Sequence, residues 1–208
     1  MASKTTSAEG PIDAAKKIYV TRRQLGPLAG RFANEDILEC NLRRQGYTII
    51  APEKLTLAQQ IEEFQTAGTL IFAEGSALHL FGQIKRDGQK ISVIQRRPSI
   101  PPLIANQLGR NVVFLNEIED IFWPPHRADN LSISVLNFRS IQRSLGASGF
   151  VDERVDWIIP TDDDVQRSLY EGRDDEILVP NSDRNIWLRN MRKKRRLEKR
   201  RKQKNANL

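Results

Sequence analysis

The sequence predicts an α/β protein with a doubly wound, mostly parallel sheet. Three observations lead there. Short runs of β-branched and aromatic residues alternate with amphipathic stretches of helical length, and the connections between them are short. The apolar runs are also continuous rather than alternating, the pattern of strands covered on both faces.

The elements follow in order. Residues 1–15 form a polar lead-in, and Ile18 to Thr21 reads as the first strand. Asn34 is placed to cap a helix whose first turn holds Glu35 and Asp36, suited to the positive end of the helix dipole, with Ile37, Leu38 and Leu42 inward and Gly46 as the stop. Tyr47 to Ala51 is the next strand. Thr56 and Gln59 fit a capping box for a helix with Leu57, Ile61 and Phe64 on its apolar face. Thr69 to Ala73 is a third strand, after which Gly75 and Ser76 turn the chain into a short helix, Ala77 to Ile84. A charged turn leads to a fourth strand, Ile91 to Gln95, then a helix around Leu103 to Leu108 and a fifth strand, Asn111 to Leu115. Leu131 to Leu136 and Asn137 to Leu145 add a strand and a helix, and the stretch from Glu117 to Asn130 carries no clear signal. Organisation is thus a body over 16–150, an acidic peripheral extension over 151–188 and a basic tail over 189–208.

Charge excludes as much as it indicates. The formal net charge of +7 is uneven: Arg189 to Lys204 holds 11 Lys or Arg and one Glu, or +10, while the other 22 bases and 25 acids leave −3. The body therefore has no nucleic-acid signature of its own. The tail suits a solubilising segment or an electrostatic contact with anionic lipid or nucleic acid, and no aromatic residue lies within it for base stacking. Cys40 is the single cysteine, so an internal disulfide and a cysteine-based zinc site are excluded. The start, MASKTTSAEG, lacks an apolar core for a secretory signal, and no run approaches the roughly 18–20 apolar residues of a membrane span. A cytoplasmic protein is expected, with the tail able to hold it at the inner face of the membrane.

In open parallel sheets ligands bind beyond the carboxyl ends of the strands, so the strand-to-helix turns are the places to search. Two stand out. After the first strand come Arg22 and Arg23, then Arg31 and the turn at Asn34-Glu35, and arginine guanidiniums match phosphate oxygens. After the third strand comes Glu74-Gly75-Ser76-Ala77, where a helix opens with its N–H groups forward. GxGxxG, GxxxxGK[ST] and GxSxG are absent, so the common dinucleotide, P-loop and serine-hydrolase readings have no support.

The string IYVTRR, then Arg31 with Asn34-Glu35-Asp36, then GYTIIAPEKLTLAQQIEEFQTAGTLIFAEGSAL, resembles the catalytic region of glycosyltransferase family 61. The likeness is close over residues 16–82, loose over 83–150 and undetectable beyond. It implies the C-terminal, Rossmann-like donor half of a GT-B type enzyme that transfers a sugar from a nucleotide-diphosphate donor to a glycan or lipid-linked acceptor, as in surface and capsular polysaccharide synthesis. By the same likeness Arg22 or Arg23 and Arg31 would stabilise the diphosphate, Asn34 and Glu35 would shape the donor site, and Gly75, Ser76 and Ala77 would approach the phosphates or sugar. Glu74 stands where many members have His, and is the catalytic candidate; acting as a base, bonding a sugar hydroxyl and bonding the loop backbone are the roles open to it. No cofactor or metal is expected, and Asp162-Asp163-Asp164 reads as a helix N-terminus. A complete enzyme of this type has two such halves, so the 208 residues leave the acceptor half, and with it the general base, to a second polypeptide or a missing segment. The rival reading is a non-catalytic scaffold of the same fold whose basic tail docks to membrane or nucleic acid. A transferase or hydrolase of another doubly wound family is a further alternative, because fold alone does not set function.

Overall fold

The computed structural model describes residues 10–26, 29–124, 131–172 and 178–183. In chain order the elements are β1 (Asp13–Val20), β2 (Arg31–Phe32), α1 (Glu35–Arg44), β3 (Thr48–Ile50), α2 (Leu57–Thr66), β4 (Ala67–Ala73), α3 (Ala77–Ile84) and β5 (Lys90–Ile94). They continue with α4 (Pro102–Leu108), β6 (Val112–Leu115), β7 (Ile118–Trp123), β8 (Ile133–Leu136), α5 (Phe138–Ala147), α6 (Asp162–Tyr170) and β9 (Val179–Pro180).

Five strands form one sheet in the order β3-β1-β4-β5-β6, all parallel. The chain runs outward from β1 to β3, then returns past β1 to β4 and proceeds the other way. Since parallel crossovers are right-handed, this reversal puts the connecting helices on opposite faces. Alternation along the strands shows it. Tyr19 of β1, Ile71 and Ala73 of β4 and Ile94 of β5 pack with Leu38 and Leu42 of α1 and with Ile141 and Leu145 of α5. Ile18 and Val20, Leu70 and Phe72, and Ile91 and Val93 face the other way, against Phe64 of α2, Leu78 and Phe81 of α3, and Ile104 and Leu108 of α4. The doubly wound α/β class predicted from the sequence is what the molecule has.

The second core centres on three rings. Phe72 lies 4.8 Å from Phe81 and 5.6 Å from Phe64 between centroids, and all three are fully buried. Val151 and Trp157, from the segment after the α/β body, enter the first core.

Local signals in the sequence carry through. Thr56 and Gln59 form the reciprocal capping box, Gly46 ends α1 with φ of +84°, and Asn137 caps α5 by accepting the Ser140 N–H. Asp162, Asp163 and Asp164 open α6, where Thr161 and Asp164 make a second capping box. Two readings need correction. Asn34 stands at the head of α1 but in the left-handed region, φ 55°, and its side chain makes no cap; its amide donates to the Asp164 carbonyl at 3.0 Å instead. Leu57 is 62% exposed rather than inward, because a helical side chain leans toward the N-terminus and the first residue of α2 projects past the sheet edge.

Of a second sheet, β2-β8-β7-β9, only β8 was legible in the sequence, as the strand expected over Leu131 to Leu136. β2 has only two residues and pairs in parallel with Ile133 and Ser134 of β8. β7 fell in the stretch without signal, since Glu119 and Asp120 interrupt its apolar pattern; it pairs antiparallel with β8 and β9. Ala33, Ile133, Val135, Leu169 and Leu178 make its core.

Candidate functional site

A sheet of this order has one topological switch point, between β1 and β4, where successive connections leave in opposite directions and open a crevice beyond the strand ends. The register is even there: Val20 of β1 pairs with Phe72 of β4, so Arg22 and Glu74 stand side by side two residues later. A cleft of about 370 Å³ occupies this position, with Arg22, Gly75, Ser76 and Ala77 in its lining and Leu25, Pro52, Leu57 and Leu80 forming an apolar rim.

Arg22 is built into the crevice. Its Nε donates to the Gly30 carbonyl at 3.1 Å, and its backbone N–H donates to Glu35 at 2.9 Å. A Cβ placed on Gly75 would fall 2.1 Å from Arg22 Nη1, so the guanidinium lies flat against a backbone that only glycine leaves uncovered. Among the described residues the Arg22 guanidinium has no ion-pair partner. Burial depresses its pKa, opposed by Glu35, Glu74 and Glu53, yet an arginine remains charged at neutral pH. A half-buried cation without an ion-pair partner beside a helix start has the chemistry suited to an anion. The side chain of Ser76 makes no capping bond, and in the first turn of α3 the Leu78 and His79 N–H groups donate to the Gly75 and Ser76 carbonyls at 3.2 and 3.0 Å.

Glu35 supports Arg22 from beneath. It is 3% exposed, and Oε1 accepts from Tyr19 OH, Thr21 Oγ1 and Arg22 N, each at 2.9 Å. Oε2 is buried without a hydrogen-bond partner. Thr21 Oγ1 also stands 2.8 Å from Glu39 Oε1, so one hydroxyl proton serves two buried carboxylates on successive turns of α1. Burial raises the Glu35 pKa, three hydrogen bonds pull it back, and the Glu39 charge adds to the rise. Tyr19 is held well above its ordinary value by burial and then by Glu35. Thr21 and Tyr19 escaped the sequence reading because a strand-end threonine and a core tyrosine carry no motif of their own.

Glu74 is fully buried and its bonding is internal. Oε2 accepts the backbone N–H groups of Arg96 at 2.8 Å and Arg97 at 3.2 Å, and Oε1 accepts Arg97 Nε at 2.7 Å and pairs with Arg97 Nη2. It thus bonds the loop backbone, one of the three roles open to it. His79 is exposed and meets Gln107 at 3.2 Å, a surface contact.

The remaining predicted residues stand elsewhere. Arg23, Arg31 and Glu35 line a neighbouring cleft of about 390 Å³ together with Asp36, Ser168 and Glu171, on the far side of the Arg23–Leu25 turn. Arg31 reaches α6, donating to the Ser168 carbonyl at 2.6 Å, and the Asn34 N–H donates to Ser168 Oγ at 2.8 Å. The structure thus separates Arg22 from Arg23: the first faces Gly75, the second approaches Glu39 at 3.9 Å.

Comparison with family profiles matches residues 3–82 to Glycosyltransferase 61. That span contains β1, Arg22, α1, β4 and the Gly75–Ala77 turn, which is to say both walls of the switch point. Over this segment the chain is similar to glycosyltransferase family 61. A sugar donor and an acceptor are the substrates that a glycosyltransferase implies. Comparison with curated proteins gives no match. Within the glycosyltransferase segment lie all of the predicted site residues; Ser168, which holds Arg31 and Asn34, and Arg97, which holds Glu74, come from outside it. Among the described residues no helix is long and apolar enough to cross a membrane.

Proposed function

We propose that the switch-point cleft binds a nucleotide-diphosphate sugar and that the protein works as the Rossmann-like donor half of a GT-B type glycosyltransferase. The observation that carries this is the unpaired Arg22 guanidinium laid against the Gly75 backbone at the head of α3. As the sugar–phosphate bond breaks, negative charge grows on the diphosphate leaving group, and a fixed guanidinium with oriented N–H donors stabilises that charge without reorganising. Arg22, Gly75, Ser76 and Ala77 contact the diphosphate. Glu35 and Glu74 are positioning residues, the first for Arg22 and the second for the turn after β5. Arg23 and Arg31 face the adjoining cleft, where the acceptor side of the donor enters. A glycan or lipid-linked acceptor, as in surface polysaccharide synthesis, is held by another folded unit that also supplies the general base. The basic tail adds a contact to anionic membrane.

A donor titration tests the reading. UDP-, GDP- or CMP-type nucleotides at millimolar concentration should raise the melting temperature of the full chain, and Arg22→Ala should markedly reduce the rise. If no nucleotide shifts the wild-type melt, the donor site does not exist. Deleting residues 189–208 should leave the nucleotide shift intact while removing binding to anionic liposomes.

A further inference from the structure

Resting on the anion-binding role proposed for Arg22, we infer that Glu35 and Glu39 share one acid proton through the Thr21 hydroxyl, and that anion binding at Arg22 weakens when rising pH removes it. The two carboxyl groups stand on successive turns of α1 beside the end of β1, and both residues are buried, 3% and 2% exposed.

The hydrogen count carries the inference. Thr21 Oγ1 lies 2.9 Å from Glu35 Oε1 and 2.8 Å from Glu39 Oε1, both ordinary O–H···O distances, and it accepts the Arg23 N–H at 3.1 Å. A hydroxyl has one hydrogen to give and two lone pairs to fill. With both carboxylates ionised, Oγ1 donates to one of them and meets the other lone pair to lone pair. With one added proton every contact is satisfied: one carboxyl O–H donates to Oγ1, Oγ1 donates to the other carboxylate, and the Arg23 N–H fills the second lone pair. Handing the carboxyl proton to Oγ1 while Oγ1 hands its own to the other carboxylate exchanges the two forms, and no proton is gained or lost. The added proton therefore belongs to the pair. Glu35 Oε2 has no hydrogen-bond partner, and Tyr19 already donates its hydrogen to Oε1, so it is on the Thr21 side that the proton finds an acceptor.

The surroundings favour keeping it. Burial raises the Glu35 pKa, and the Glu39 charge adds to the rise. Arg43 and Arg23 approach Glu39 at Oε2, at 3.1 and 3.9 Å, and leave both Oε1 atoms to Thr21. Arg22 meets Glu35 through its backbone N–H, while its guanidinium is turned to Gly30 and Gly75. Arg31 of β2 donates to Ser168, and Asp36 and Glu171 bring further negative charge to the cleft that Glu35 borders. Arg96, after β5, feels the Glu35 charge and has its own hydrogen bonds to Ser132. Losing the proton adds a second negative charge beneath the strand end that carries Arg22, against any anion on its guanidinium. A bound anion conversely strengthens the hold of the pair on its proton.

Infrared spectroscopy of the full chain near neutral pH reads the proton. The wild type should show the C=O band of a protonated carboxyl, and Glu35→Gln and Glu39→Gln should each abolish it, because a glutamine amide donates to Oγ1 in place of the acid and leaves the other carboxylate ionised. No band in the wild type, or a band that survives either substitution, overturns the inference. Inorganic sulfate, whose charge is constant over the range, is then titrated by calorimetry from about pH 6 to about pH 9 into the wild type, Glu39→Gln and Arg22→Ala, the last of which measures binding elsewhere, including the basic tail. The Arg22-dependent affinity should fall about fivefold across the range in the wild type and stay level in Glu39→Gln, with unliganded melts as the check on folding. A level wild-type affinity, or an equal fall in both, overturns the coupling. Sulfate binding that Arg22→Ala leaves unchanged overturns the anion-site reading and the coupling with it, while the infrared result decides the shared proton on its own.

Discussion

Arg22 and Gly75 are in direct steric register: the guanidinium occupies the space in which any side chain at position 75 would begin, with Nη1 2.1 Å from the position of a Cβ. The cation and the turn that opens α3 are therefore one unit, contributed by the ends of two strands that lie side by side in the sheet.

Gly75→Ala should displace Arg22 and leave the fold in place, since the obstruction is the end of a flexible side chain. Nucleotide affinity should fall about tenfold, by the loss of one charge-assisted contact, with an unliganded melting temperature within a few degrees of wild type. A titration of the variant beside Arg22→Ala checks this, because the two should be equally weak.

Glu35 makes stability fall as pH rises. Its folded pKa is raised by burial and by Glu39, so between the unfolded value and the folded one the native state holds more protons than the unfolded chain, and unfolding becomes easier with increasing pH in that window. Below the unfolded value both states are protonated and the effect disappears. Glu35→Gln, which keeps an acceptor for Tyr19, Thr21 and Arg22, should flatten this decline; urea unfolding from pH 4 to pH 8 would reveal a slope that persists if the assignment is wrong.

Phe81→Ala should destabilise the protein by about 3–5 kcal/mol, because the ring is fully buried between Phe64 and Phe72 and its removal leaves a cavity. Phe81→Leu should cost clearly less. Chemical denaturation of the two variants is the measurement.

Asn34 combines a left-handed backbone with a bond to α6, and the two contributions separate by substitution. Asn34→Gly removes the bond and tolerates the backbone, whereas Asn34→Ala removes the bond and adds the strain of a Cβ at positive φ, about 1 kcal/mol more. Equal melting temperatures for the two variants would show that the backbone there is unstrained.

The sequence by itself determined the α/β body. Its strands are apolar runs, its helices carry their own caps at Thr56, Asn137 and Thr161, and its stops are written at Gly46, so each element is specified by residues within a few positions of one another. The strand-end positions of Arg22, Gly75, Ser76 and Ala77 were legible for the same reason. Only the tertiary structure decided which of two adjacent arginines meets Gly75, that Arg31 and Asn34 are engaged by Ser168 and Asp164 130 or more positions away, and that Glu74 is bound to the Arg96-Arg97 turn. Apart from β8, the second sheet was likewise hidden, since β2 and β9 have two residues each and are strands only because β8 and β7 lie beside them. Local steric and hydrogen-bonding preferences are carried by neighbouring residues, but side-chain partners and short strand pairs are set by which chain segments the sheet order brings together.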